Sequence, residues 1–519
     1  MRFPLPKTRR LLLPLLGAAS LLLAACGGGE DAPAAPASDL TEAQIERGVQ
    51  GVETLVPQLM ARSGVPGVAV AVVWRGELRY AKGFGVREAG KPGPITPDTV
   101  FQLASVSKSV GATVVATQVD AGRIAWDTPV ARHLPDFRLS GDGPQPTVGD
   151  LYSHRSGLPD HVGDQLEDLS YDRDDILRRL RHVPVKPLGS HYAYTNFGLT
   201  AAAQAVANAA GADWAALSER VLYQPLGMNR SSSRFADFMA RDDRAIPHAW
   251  EDGRYQALYQ RQPDAQSPAG GVSSSVRDMA QWLALLQSMG VTADGRTLFA
   301  PAALEPALVR QAPPGNEYGF GFNVGNDSRG QRLKSHSGAF LLGASTVFMH
   351  WPDSALGIVV LTNAAPSGLA EATAISFIEL ARNGATSRDW YAMIHEQFQQ
   401  DMFQPFGSLA GKTPPAAPVP PLPLERYAGG YSNDYYGSAA ITVEDGALAL
   451  TLGKQGQVRY KLRHWDGSRF VFDLGGENAV EGSVSYLDFT IDQAGNVSGL
   501  RTEYFAEDLS GGNFARVGY

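Results

Sequence analysis

Residues 411–423 read GKTPPAAPVPPLP, six prolines in thirteen positions. Each proline locks its own φ and removes a backbone N–H, so neither a helix nor a central strand can pass through the stretch. It is a stiff spacer, and it marks a boundary between two parts of the chain. Of the chain's 519 residues 44% are hydrophobic and 19% charged, the composition of folded domains.

Beyond the spacer, AAITVEDGALALTL alternates about Asp445-Gly446, a two-residue hairpin signal, and HWDGSRFVFDL and YLDFTIDQAGNVSGLRTEYF repeat that style. Residues 424–519 read as a small all-β domain, a barrel or a sandwich. Before the spacer, residues 41–410 form a mixed domain. VPGVAVAVVWRGELRYAKGFG (65–85) is a pair of β-rich runs broken at Arg75-Gly76, a hairpin. A helix over 106–120 follows, ended by the glycine of AGR. Residues 124–279 are mostly helix and loop. EYGFGFNVG, GASTVFMHW and LGIVVLTN then return to strand, and GLAEATAISFIELARNG supplies a closing helix. The class is α/β (α+β): one sheet assembled from both ends of the segment, with a helical subdomain between.

The opening MRFPLPKTRRLLLPLLGAASLLLAAC has a basic stretch, an apolar run too short to span a bilayer, and small residues before Cys26. Residues 1–25 read as a signal peptide. LAAC resembles a bacterial lipobox, in which Cys26 becomes the acylated first residue; residues 26–40 are then a flexible tether. Cys26 is the only cysteine, so no disulfide forms within the chain. Losing the leader removes four basic and no acidic side chains and takes the formal charge from −8 to −12, a balance that argues against a nucleic-acid partner. The expected location is the bacterial cell envelope, on the outer or inner membrane through the lipid anchor and facing the periplasm.

Within FQLASVSKSV (101–110), Ser105 and Lys108 stand three apart at a helix start. A helix cap and a solvated lysine would explain them equally. On a helix, however, residues three apart share a face, which brings the Lys108 amine beside the Ser105 hydroxyl. S-x-x-K is the motif of serine acyl-transfer sites and occurs once in this chain. Such a site needs a second proton-transfer group, an orienter and an oxyanion hole. HYAYTNFGLT offers Tyr194 and Asn196, although Tyr431-Ser432-Asn433 repeats the triplet. KSHSGAFLLGAS offers His336-Ser337-Gly338, although His161-Val162-Gly163 repeats that spacing.

Taken in order, the S-x-x-K helix, LYSHRSGLP (151–159), YTNFG, PLGM (225–228), PAGGVSSSVRDMAQW, YGFGF, HSGA and IVVLTN resemble the serine β-lactamase-like family. The nearest branch is class C, with its D-alanyl-D-alanine carboxypeptidase, D-aminopeptidase and esterase relatives. The resemblance covers about residues 42–384. It implies a β-lactamase/transpeptidase-like antiparallel sheet flanked by helices, and a lipocalin-like small barrel appended at the end. It also implies Ser105 as the nucleophile, Lys108 and Tyr194 sharing the proton transfers, Asn196 orienting the acyl amide, and the N–H groups of Ser105 and Ala339 as the oxyanion hole, with Gly338 permitting a close approach. Charge on Lys108 favours a Tyr194 phenolate while burial favours neutral lysine, so the pair titrates as a unit.

One position departs from the β-lactamase pattern. His336-Ser337-Gly338 stands where classical members carry Lys-Thr-Gly, and a largely neutral ring replaces an ammonium at the carboxylate-binding position. The expectation is a serine hydrolase of D-amino-acid peptides, amides or small esters, with no cofactor or metal. A class C β-lactamase and a catalytically silent cell-wall-binding lipoprotein stand as alternatives. The partners expected are a small-molecule or peptide substrate and the membrane; oligomeric state is left open. Every candidate site residue precedes the spacer, so this reading gives the β domain no catalytic group.

Overall fold

The computed structural model of the chain describes residues 40–518. The signal peptide, Cys26 and nearly all of the tether lie outside the described residues. Helix α1 (Glu42–Ser63) is capped by Thr41, whose side chain accepts from the Gln44 N–H while Gln44 reaches back to the Thr41 N–H. The hairpin of β1 (Gly67–Trp74) and β2 (Glu77–Gly85) follows, turning at Arg75-Gly76 with both residues at positive φ, the conformation of a hairpin turn matched to strand twist. Then come α2 (Ser107–Asp120), α3 (Asn196–Ala209) and α4 (Val276–Gln287). Strands β3 (Asn323–Asn326), β4 (Arg332–Phe340), β5 (Ala344–Trp351) and β6 (Leu356–Thr362) return to the sheet, and α5 (Leu369–Asn383) closes over it. The strand order is β2-β1-β6-β5-β4-β3, antiparallel throughout.

Both faces of this sheet are covered, so its central strands carry unbroken apolar runs instead of the alternation of a half-exposed strand. Every residue of β1 is buried. Val68, Val70, Val72 and Trp74 belong to the apolar cluster of α1 and α5, with Val52 and Phe377. Ala69, Ala71 and Val73 fall in the other cluster, with Val110 of α2 and Leu283 of α4. A fully buried valine contributes about 1.5–3 kcal/mol relative to an exposed one.

Eight antiparallel strands between Gly429 and Val517 close into a barrel, the first pairing with the last. The turn at Asp445-Gly446 forms as its sequence requires, joining Glu444 to Ala447 with both turn residues at positive φ. Tyr431 is buried in the first barrel strand, where its hydroxyl donates to the Tyr427 carbonyl at 2.6 Å. The second Tyr-x-Asn triplet thus has a structural place. The barrel is not a separate bead on the spacer. One apolar cluster runs from Val110 through Leu166 and Tyr171 into Tyr436 and Phe505, so barrel and helical region share a core.

Candidate active site

Ser105 is placed by backbone geometry on both sides. Phe101–Gln102 pairs with Ser273–Ser274 in a short ladder, and a 3₁₀ turn over Ala104–Val106 carries Ser105 into α2. The regular helix begins at Ser107, one residue later than the sequence pattern predicts. Ala104 holds φ at +46°, a left-handed conformation costing a residue with a Cβ on the order of 1–3 kcal/mol. Helix α2 is buried from Ser107 to Gln118, which carries Lys108 into the protein interior.

The Lys108 amine lies 3.0 Å from Ser105 Oγ, 2.7 Å from Asn196 Oδ1 and 3.0 Å from the Ala269 carbonyl oxygen. An amide oxygen and a carbonyl oxygen can only accept. A neutral amine has two N–H groups, so donating both to Asn196 and Ala269 leaves its lone pair for the Ser105 hydroxyl. Asn196 is the first residue of α3 and is fixed from its other end: Nδ2 donates to Asp164 Oδ2 at 3.1 Å and Oδ1 at 3.2 Å. Asp164 Oδ2 in turn lies 2.9 Å from His161 Nδ1. The Tyr194 ring sits 4.6 Å from the Lys108 amine, against the rings of His154 and His161. Its hydroxyl is buried and faces Ser105.

Strand β4 supplies the opposite wall. Strand β3 pairs only as far as Ser335, so from His336 onward that side of β4 is open, and the Ser105 turn fills the place. A Cβ on Gly338 would stand 2.2 Å from the Leu103 oxygen and 2.9 Å from the Ser105 nitrogen. Only glycine permits this approach of β4 to the backbone at Ser105. His336 is fully buried. Its Nδ1 lies 2.7 Å from the Ser337 carbonyl oxygen and must donate there; Nε2 then accepts from the Tyr318 hydroxyl at 2.9 Å. Both ring nitrogens are engaged within the protein, and direct binding of a substrate carboxylate would require the Tyr318 bond to open.

Burial dominates the electrostatics. It lowers Lys108 to about 7, opposed by the Asp164 charge. It holds the Tyr194 phenol well above the ordinary tyrosine range, only partly offset by Ser105, and takes His336 down to about 3, with the Lys108 charge adding to the effect. Within the lysine-tyrosine pair, burial favours the neutral form of both partners. Burial also pulls the His161 imidazole down, but its bond to Asp164 and the Asp160 charge outweigh this and leave it at about 9.

The structure brings Ser105, Lys108, Tyr194, Asn196, His336, Gly338 and Ala339 to one place. It adds groups that the motif reading does not name. Asp164 and His161 come from HVGD, the histidine triplet that looked like a chance repeat; Ala269 and Tyr318 come from PAGG and YGFGF. A carboxylate three residues after that histidine was the available sign.

Comparison with known proteins decides the family. A beta-lactamase family model matches residues 52–382. The chain belongs to the beta-lactamase family. A second model, a domain of unknown function (DUF3471), matches residues 413–514, the spacer and barrel. Among curated beta-lactamase-family relatives, esterase EstB of Burkholderia gladioli is 30% identical over 350 residues, covering 58% of this chain and 87% of its own. Unguisins hydrolase ungD of Aspergillus violaceofuscus is 26% identical over 437 residues, covering 75% and 76%. The octameric penicillin-binding protein homologue of Pyrococcus abyssi superposes with a TM-score of 0.59 at 20% identity over 88% of this chain and 98% of that one. A class C beta-lactamase of Rhodobacter sphaeroides gives 0.52 at 22% identity over 63% and 98%. This member of the beta-lactamase family is therefore a serine hydrolase, with the transpeptidase-like sheet and closed barrel expected of it.

Proposed function

We propose that the protein is a lipid-anchored hydrolase of the bacterial cell envelope that acylates Ser105 with uncharged small esters or D-amino-acid amides. The observation that carries this reading is the Lys108 amine, lowered to about 7 and 3.0 Å from Ser105 Oγ, with both N–H groups of its neutral form spoken for. Lys108 takes the Ser105 proton as Oγ bonds to the substrate carbonyl carbon. The N–H groups of Ser105 and Ala339 hold the oxyanion. As the bond to the leaving atom breaks, Tyr194 gives that atom its proton and is reprotonated by the Lys108 ammonium. Water then attacks the acyl carbon, the same pair taking its proton and passing it to Ser105 Oγ as the acyl–Oγ bond breaks. Asn196 holds Lys108 through its Oδ1.

The neutral, enclosed His336 supports a preference for substrates without a carboxylate at that position, and the esterase among the relatives fits the ester arm of this reading. The anchor rests on LAAC at Cys26, and the periplasmic location rests on the same feature. The test is a panel of a p-nitrophenyl ester, a D-alanine amide, a lactone and a cephalosporin, assayed on the soluble fragment from Ser38 onward. Turnover of the ester or amide at least tenfold above the cephalosporin, and lost in Ser105→Ala, is expected. Efficient cephalosporin hydrolysis would replace the proposal with a class C β-lactamase. Covalent labelling without turnover of any arm would favour a binding protein.

A further inference from the structure

The five-residue helix Asp164–Asp168 carries the carboxylate that fixes Asn196. Much of what holds this helix comes from the barrel, more than three hundred positions away in sequence. Glu507 Oε2 accepts from the Gly163 N–H at 3.0 Å, and Glu507 Oε1 from the Gln165 N–H at 2.9 Å. The Gln165 side chain donates to the Tyr504 carbonyl and accepts from the Tyr436 hydroxyl, each at 2.7 Å. Asn478 donates to Asp168 Oδ2 at 2.7 Å. So short a helix has no run of internal hydrogen bonds to stiffen it, and its end groups need outside partners.

A second barrel carboxylate reaches the other wall. Glu477 accepts from the N–H groups of Leu341 at 2.9 Å and Leu342 at 3.3 Å, in the turn that follows Gly338, Ala339 and Phe340. Its Oε2 lies 3.8 Å from Arg261 Nε. Arg261 also pairs with Glu167 and accepts at its carbonyl from the Gln102 side chain at 2.7 Å, three residues before the nucleophile. All three ionic side chains are nearly buried.

We propose that the barrel completes the active site, Glu507 and Glu477 acting as positioning residues that clamp the Asp164 turn and the end of β4 on opposite sides of Ser105. The proposal rests on the Ser105-Lys108 reading above. Neither carboxylate touches the reacting atoms; each holds backbone that carries a group which does. Misplacement of such groups by about 1 Å costs on the order of a hundredfold in rate.

The test uses the full chain and compares Glu507→Ala, Glu507→Gln and Glu477→Ala with wild type in steady-state ester hydrolysis and in the rate of Ser105 labelling by a serine-reactive probe. Folding is checked by circular dichroism at the assay temperature. The expected result is a fall in kcat and labelling rate of about ten- to hundredfold in the alanine variants, with KM changed less than about twofold. Glu507→Gln, which keeps one acceptor oxygen, falls between. If Glu507→Ala does not fold, Glu507→Gln decides; if Glu477→Ala does not fold, Glu477→Gln takes its place. Wild-type labelling in any folded variant, or a loss that only tracks the unfolded fraction, overturns the proposal. Ser105→Ala separates the two readings: labelling that survives it refutes the site itself, whereas labelling lost in Ser105→Ala but intact in the clamp variants refutes only the clamp.

Discussion

Replacing Asp164 with asparagine tests the electrostatics of the base. Asp164 is the charge that opposes the burial of Lys108 and keeps its amine as high as about 7. The two groups are linked through one amide, with Lys108 to Asn196 Oδ1 at 2.7 Å and Asn196 Nδ2 to Asp164 at 3.1 Å. Across a separation of roughly 7 Å and an effective dielectric of about 20, a unit charge contributes about 2.4 kcal/mol, or somewhat under two pKa units. The sign is fixed by chemistry. Removing an anion destabilises the ammonium, so Lys108 loses its proton at lower pH and the active, neutral form extends into acid. The acid limb of kcat/KM, which reports the free enzyme's base, should move from about 7 to roughly 5–6. Its plateau should drop, because a weaker base accepts the Ser105 proton less readily. The assay is ester hydrolysis from pH 4.5 to 9 under kcat/KM conditions. A limb that stays in place or moves upward would refute the assignment of Lys108 as base.

Ser105→Ala should abolish turnover and covalent labelling while leaving the circular dichroism unchanged, and Tyr194→Phe should slow acylation by about a hundredfold; labelling of the alanine variant at another serine would point to a different nucleophile. Gly338→Ala would push a methyl to 2.2 Å from the Leu103 oxygen, and the displaced strand should lose at least about a hundredfold in acylation rate, measured by probe labelling; an unchanged rate would remove β4 from the oxyanion hole. Cys26→Ser should eliminate acyl modification, seen by mass spectrometry, and detach the protein from membranes. Unmodified wild-type protein in the soluble fraction would defeat the anchor.

How far the sequence spoke depended on the range of the interaction. The β1-β2 hairpin, the turn at Asp445-Gly446 and the Ser105-Lys108 pair are local: each is set by residues a few positions apart, and each is found where periodicity and turn chemistry put it. The spacer is legible from its prolines alone. It did not reveal that the domains share a core, because the aromatic run through Tyr436 and Phe505 looks like ordinary barrel filling until Tyr171 is seen against it. His336 shows the same limit. Its match to the first position of Lys-Thr-Gly marked it as a candidate, but the sequence did not show that its ring is bonded to its own neighbour's carbonyl and to Tyr318, eighteen residues away. Asp164 and Glu507 lie farthest apart, and no periodicity links an acidic residue in a short helix to one in a barrel loop.

The closed barrel has a bearing on biosynthesis. Its first strand, Gly429–Asn433, pairs with its last, Asn513–Val517, and the loop bearing Glu507 lies just before that final strand. A nascent chain that stops short of Asn513 leaves two bare strand edges, open templates for aggregation and marks for proteolysis. The ribosome must therefore have translated Asn513–Val517 before the barrel can close, and until then both edges stay unpaired.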